Sequence, residues 1–94
     1  MRRVLVVDDE ENLRLLVRTI LRREGLEVEV ASSGEQALAL VETFGPDVIL
    51  TDVRMPRMGG LDLLTTLKAK GNDAVVIVMS AYGNVDLAIE AMKA

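Results

Sequence analysis

Val4-Leu5-Val6-Val7-Asp8-Asp9 and Val48-Ile49-Leu50-Thr51-Asp52 are two short, mostly apolar runs, each closed by acid. Continuous apolar runs of this length suit central strands buried on both faces. If the two are neighbouring parallel strands, Asp8, Asp9 and Asp52 converge at one edge of the sheet. Carboxylates so close repel one another, so at neutral pH they either share protons or attract a divalent cation.

Around these runs, short strands alternate with amphipathic helices, with no linker, low-complexity tract or literal repeat. After the first strand, Leu13, Leu16, Val17, Ile20 and Leu21 recur at helical spacing until Gly25 offers a C-terminal cap. Glu27-Val28-Glu29-Val30 alternates polar and apolar, as an edge strand does. Ser33 with Gln36 forms a capping-box pattern opening a helix that buries Ala37, Leu38, Val41 and Phe44, and Gly45-Pro46 stops it. Beyond Asp52, Met55-Pro56 and Gly59-Gly60 mark a loop in which glycine permits positive φ. A helix with Leu61, Leu64 and Leu67 inward follows, ending near Gly71-Asn72. Ala74 to Met79 reads as an interior strand and Ser80-Ala81-Tyr82-Gly83 as its exit loop. Asn84 then caps a helix with Val85, Ala88, Ile89 and Met92 on one stripe.

Four βα units in succession call for an α/β fold: a doubly wound parallel sheet with right-handed crossovers and helices on both faces. Ligands in such sheets sit beyond the carboxyl ends of the strands where strand order reverses. In the flavodoxin-like order 2-1-3-4 that point lies between strands one and three, the strands carrying the acids.

Composition narrows the chemistry. The 94 residues suit one domain, and with Phe44 and Tyr82 as the aromatic residues the core must be aliphatic. A net charge of -4 argues against direct contact with nucleic acid. The absence of cysteine and histidine removes thiolate and imidazole chemistry, leaving carboxylates, hydroxyls, amides and lysines. The apolar run after Arg2-Arg3 is too short for a signal peptide, so the chain reads as cytoplasmic with no membrane association.

Each acid also has a plainer reading. Asp8-Asp9-Glu10-Glu11 suits a solvated loop with acids in the first turn of a helix, which is our reading of Glu10 and Glu11. Asp52 suits an Asx-turn before Met55-Pro56. The strand order favours the site reading for Asp8, Asp9 and Asp52, and oxygen donors point to Mg²⁺, or Mn²⁺, over zinc. Ser80 closes a strand on the same edge, where its hydroxyl can reach a group on Asp52; its plainer role is turn formation or capping. Gly59-Gly60 matches neither GxxxxGK[ST] nor GxGxxG, so these glycines read as turn residues.

Val4 to Glu10, Asp47 to Pro56, Met58-Gly59-Gly60-Leu61 and Val78 to Gly83 together resemble, in order and spacing, the receiver domains of two-component response regulators. The resemblance implies a CheY-like fold. Ser80 to Ala94 is further similar to receivers of the nitrogen-regulation class, which usually precede an ATPase and a DNA-binding domain. The resemblance implies that Asp52 accepts a phosphoryl group from a sensor histidine kinase docked near the first helix. It implies that Asp9, Asp52 and the backbone carbonyl of Arg54 ligate Mg²⁺, with Asp8 acting directly or through water. Ser80 would bond to the phosphoryl group and act as a switch, while Arg54 and Tyr82 would border the site. The domain itself would assist its phosphorylation and dephosphorylation without being an enzyme, and it would switch an output domain.

Members of this family continue through a fifth strand and helix, with a lysine after that strand. Residues 1–94 therefore read as a C-terminally incomplete receiver, and Lys93 reads as a solvated side chain. Val75 to Met79 would then be an exposed edge that a second copy covers, as a homodimer or a domain-swapped oligomer. The alternative function is a phosphorylation-independent interaction module that dimerises through this edge. An aspartyl-phosphate hydrolase is disfavoured, since Asp52-Val53-Arg54 lacks the second acid of a DxD motif.

Overall fold

The computed structural model describes residues 2–79. Within them the chain runs β1 (Arg3–Val7), α1 (Glu11–Arg23), β2 (Glu27–Ala31), α2 (Gly34–Phe44), β3 (Val48–Asp52), α3 (Gly60–Ala69) and β4 (Val75–Met79). The strands are all parallel, in the order β2-β1-β3-β4. The doubly wound, CheY-like arrangement expected from the sequence is therefore present. The fourth expected helix, from Val85 to Met92, lies outside the described residues.

Alternation along the central strands divides the core. Val4, Val6, Val48 and Leu50 pack against Val17 and Leu21 of α1 on one face. Leu5, Val7 and Ile49 pack against Ala37 and Val41 of α2 and Leu63 and Leu67 of α3 on the other. All four apolar residues of β1 are buried because both faces are covered, which is why the strand reads as a continuous apolar run. β2 keeps the alternation of an edge strand, with Glu27 and Glu29 exposed and Val28 buried.

The helix ends follow local chemistry. Ser33 caps α2 by accepting from the Gln36 N–H at 3.1 Å. The Gln36 side chain reaches back past Ser33, accepting from the N–H and hydroxyl of Ser32 at 2.6 and 2.9 Å. Gly45 at φ 62° and Gly25 at φ 85° follow α2 and α1 in the left-handed conformation that favours glycine.

Two faces differ from the sequence expectation. Leu16 is 53% exposed, and it sits one residue, about 100° of helix rotation, from buried Val17. In α3 the inward residues are Gly60, Leu63 and Leu67, and Leu61 is 60% exposed. The orientation of α3 is set at its first residue, where Gly60 lies against the backbone of Asp52. β4 is an edge of the described sheet, with Val75 60% exposed and Val76, Ile77 and Val78 half-buried.

Candidate functional site

The register Val7↔Thr51 brings the ends of β1 and β3 side by side. The Asp8 N–H donates to the Ala31 carbonyl at 3.1 Å, extending the sheet hydrogen bonding by one residue past β1. Asp8 has the same strand parity as Val4 and Val6, and Asp52 that of Val48 and Leu50, so both belong to the α1 face. Asp9 follows in the turn that leads to α1 and is exposed. One carboxylate oxygen from each of Asp8, Asp9 and Asp52 lies within 4.8 Å of the others.

Asp8 is the unusual member. It is 2% exposed, and its Oδ1 accepts from the Glu10 N–H at 2.9 Å. Its Oδ2 is buried with no hydrogen-bond partner among the described residues. Burial pushes the Asp8 carboxyl above its ordinary range, the Glu10 N–H opposes that rise, and the charges of Asp52, Asp9 and Glu10 add to it. Leaving a buried carboxylate oxygen unpaired is costly unless a proton or a cation satisfies it. The donor set is all oxygen, which suits a hard divalent cation.

The loop after β3 supports Asp52. The left-handed residue here is Arg57, at φ 68°, rather than either glycine of the 59–60 pair. Those glycines serve close approach: a Cβ on Gly59 would sit 2.6 Å from the Val53 carbonyl oxygen. One on Gly60 would sit 2.3 Å from the Asp52 carbonyl oxygen and 3.2 Å from Thr51 Cγ2. The Gly60 N–H donates to Val53 at 3.0 Å, tying the first turn of α3 to the backbone beside Asp52. Gly60→Ala is therefore expected to destabilise the domain by about 1–3 kcal/mol through overpacking against backbone that has no soft escape. Chemical denaturation would read this as a lowered midpoint, and an unchanged midpoint would contradict the close approach.

Of the residues singled out from sequence, Asp8, Asp9 and Asp52 come together. Arg54 follows Asp52 by two positions, in the loop, and is exposed. Ser80 and Tyr82 lie outside the described residues. Arg14 drew no sequence reading, yet its Nη1 donates to the Asp8 carbonyl at 2.9 Å. Its signal was a cation in the first turn of α1, six residues after Asp8.

A family model described as "Response regulator receiver domain" matches residues 4–94. The chain belongs to this family. The receiver is 40% identical over 91 residues to Regulatory protein AtoC of Escherichia coli, covering 97% of this chain and 20% of that protein. It is 35% identical over 91 residues to Sporulation initiation phosphotransferase F of Bacillus subtilis, covering 97% and 73% respectively. The receiver thus spans about a fifth of AtoC and nearly three quarters of the phosphotransferase. Among solved structures it resembles the response regulator TrrA of Thermotoga maritima in complex with Mg²⁺ and BeF. That match has TM-score 0.81 and 35% identity and covers 100% of this chain and 82% of TrrA. Phosphorylation on aspartate, within two-component signalling, is implied by the family. No helix among the described residues is long and apolar enough to cross a membrane.

Proposed function

We propose that this receiver accepts a phosphoryl group on Asp52 from the phosphohistidine of a sensor kinase, and that Asp8, Asp9, Asp52 and the Arg54 carbonyl hold Mg²⁺ beside it. The observation that carries the proposal is the convergence of three carboxylates around a buried Asp8 oxygen that has no partner among the described residues. The complex of TrrA with Mg²⁺ and BeF supports the same reading.

An ionised Asp52 oxygen attacks phosphorus, an oxygen–phosphorus bond forms, and the nitrogen–phosphorus bond breaks with its electron pair leaving on the imidazole. Catalysis of this transfer is mostly positioning and charge compensation. Bound Mg²⁺ would offset the negative charge that gathers on the phosphoryl oxygens and the attacking carboxylate. Asp52 is positioned from two sides, by β3 before it and by the Gly59-Gly60 contact after it. Asp8 is held through its N–H and Oδ1, which leaves Oδ2 without a partner among the described residues. Ser80 is assigned a hydrogen bond to the transferred group, with Arg54 and Tyr82 at the border. The phosphorylated receiver would act in the cytoplasm on an output domain or partner, a reading supported by its similarity to the regulatory protein AtoC.

The test is incubation with acetyl phosphate and Mg²⁺, followed by intact mass measurement. One added phosphoryl group, lost on hydroxylamine treatment and prevented by EDTA, is expected. Cation binding without any mass gain would replace this reading with the phosphorylation-independent interaction module.

A further inference from the structure

We infer that Arg14 is a positioning residue for the acidic trio: its guanidinium holds the Asp8 carbonyl and so fixes the Asp8-Asp9 turn in a cation-ready conformation. The inference rests on reading the trio as a divalent cation site.

The geometry is specific. Arg14 lies in the first turns of α1, where its N–H bonds to the Glu10 carbonyl at 3.0 Å. Its side chain is half-buried and turns back to the Asp8 carbonyl at 2.9 Å. Three of the four hydrogen-bonding groups of Asp8 are thereby engaged: the N–H by Ala31, Oδ1 by Glu10 and the carbonyl by Arg14. The fourth, Oδ2, has no partner among the described residues. Among the described residues Arg14 pairs with no carboxylate, so its charge serves a backbone oxygen rather than neutralising an acid. An arginine bond to a carbonyl is charge-assisted and directional, and it fixes the peptide plane between Asp8 and Asp9.

Positioning and simple electrostatics predict opposite signs. If Arg14 acted only as a nearby positive charge, removing it would deepen the negative potential and tighten divalent cation binding. If it positions the turn, removing it loosens the donor set and weakens binding, by about tenfold on the scale of other residues that orient metal ligands.

Isothermal titration of Mg²⁺ into unphosphorylated protein at physiological salt separates these outcomes. Wild type must bind and Asp9→Asn must not; failure there removes the cation site and with it the proposed function. Given that binding, Arg14→Met, which keeps the aliphatic stem, is expected to raise the Mg²⁺ Kd about tenfold. Arg23→Met, an equal charge loss at the far end of α1, should leave it within about twofold, since an exposed charge so distant is screened. Arg14→Lys, which keeps charge and loses the fork, provides the second reading should Arg14→Met not fold, and it too is expected to bind more weakly. Thermal midpoints in EDTA separate lost affinity from lost stability. The inference is overturned if the foldable Arg14 variants bind Mg²⁺ as tightly as wild type, or more tightly, or if Arg23→Met weakens binding equally.

Discussion

Asp52→Asn is expected to take up no phosphoryl group from acetyl phosphate under conditions that modify the wild type. The amide is nearly isosteric with the carboxylate but carries no anionic oxygen to attack phosphorus. The substitution also costs little in folding. Asp52 is half-buried at the end of β3, and its backbone carbonyl accepts from the Thr51 hydroxyl at 3.1 Å, a bond that the substitution leaves in place. Removing its charge relieves Asp8, because Asp52 is the foremost of the acidic neighbours that raise the Asp8 carboxyl. The thermal midpoint of metal-free Asp52→Asn should therefore equal or exceed that of wild type, so loss of labelling cannot be assigned to unfolding. Intact mass and calorimetry on the same sample check both halves. Labelling that survives in Asp52→Asn would place the acceptor elsewhere and end the proposed assignment.

Asp8→Asn should raise the stability of the metal-free protein and at the same time cost it at least about tenfold in Mg²⁺ affinity. Asp8 is raised first by burial, then by the charges of Asp52, Asp9 and Glu10, against the opposing Glu10 N–H. A carboxyl whose folded pKa exceeds its unfolded value holds its proton more tightly when folded. Its favourable contribution is complete below the unfolded pKa and is lost as pH rises through the folded value. Above the unfolded carboxyl range the metal-free wild type thus carries the cost of keeping Asp8 desolvated among acidic neighbours. An asparagine removes the charge and offers an N–H donor toward the Asp9 and Asp52 carboxylates, a gain of about 1–3 kcal/mol. In a domain of this size each kcal/mol moves the midpoint by about 4–8 °C.

The same linkage sets the pH dependence. The stability difference between Asp8→Asn and wild type in EDTA should shrink as pH falls toward the unfolded carboxyl range. With Mg²⁺ at neutral pH the wild type should recover most of the difference, because cation and proton satisfy the same oxygen. Midpoints for both proteins across pH, with EDTA or with Mg²⁺, check each of these statements. A wild type as stable as Asp8→Asn in EDTA at neutral pH would mean that Asp8 carries no such cost.

Much of this was legible from short-range pattern. The apolar runs at Val4 and Val48, the Ser33 cap, and the glycines at 25 and 45 that end α1 and α2 needed only their immediate neighbours to be read. Leu16 and Leu61 misled because their apolar neighbours along the helix, Val17 and Leu63, offer an equally apolar face turned by about 100° and 200°, and only the packing partner chooses between them. Gly59-Gly60 misled in another way. A glycine that permits a left-handed turn and one that permits backbone contact look identical in sequence, and the contact is with Asp52 and Val53, several residues earlier.

The alternation of strands and helices, the ends of those helices, and the placing of acids at the carboxyl ends of β1 and β3 are all readable from residue order alone. These depend on periodicity and capping within a few residues. Packing in three dimensions is what brings three carboxylates within 4.8 Å, leaves Asp8 an oxygen with no partner among the described residues, and turns Arg14 back to hold its carbonyl. Separation and burial between residues 8 and 52 are set by the register of β1 on β3 and by the helices packed over it. No local stretch of the chain carries that information.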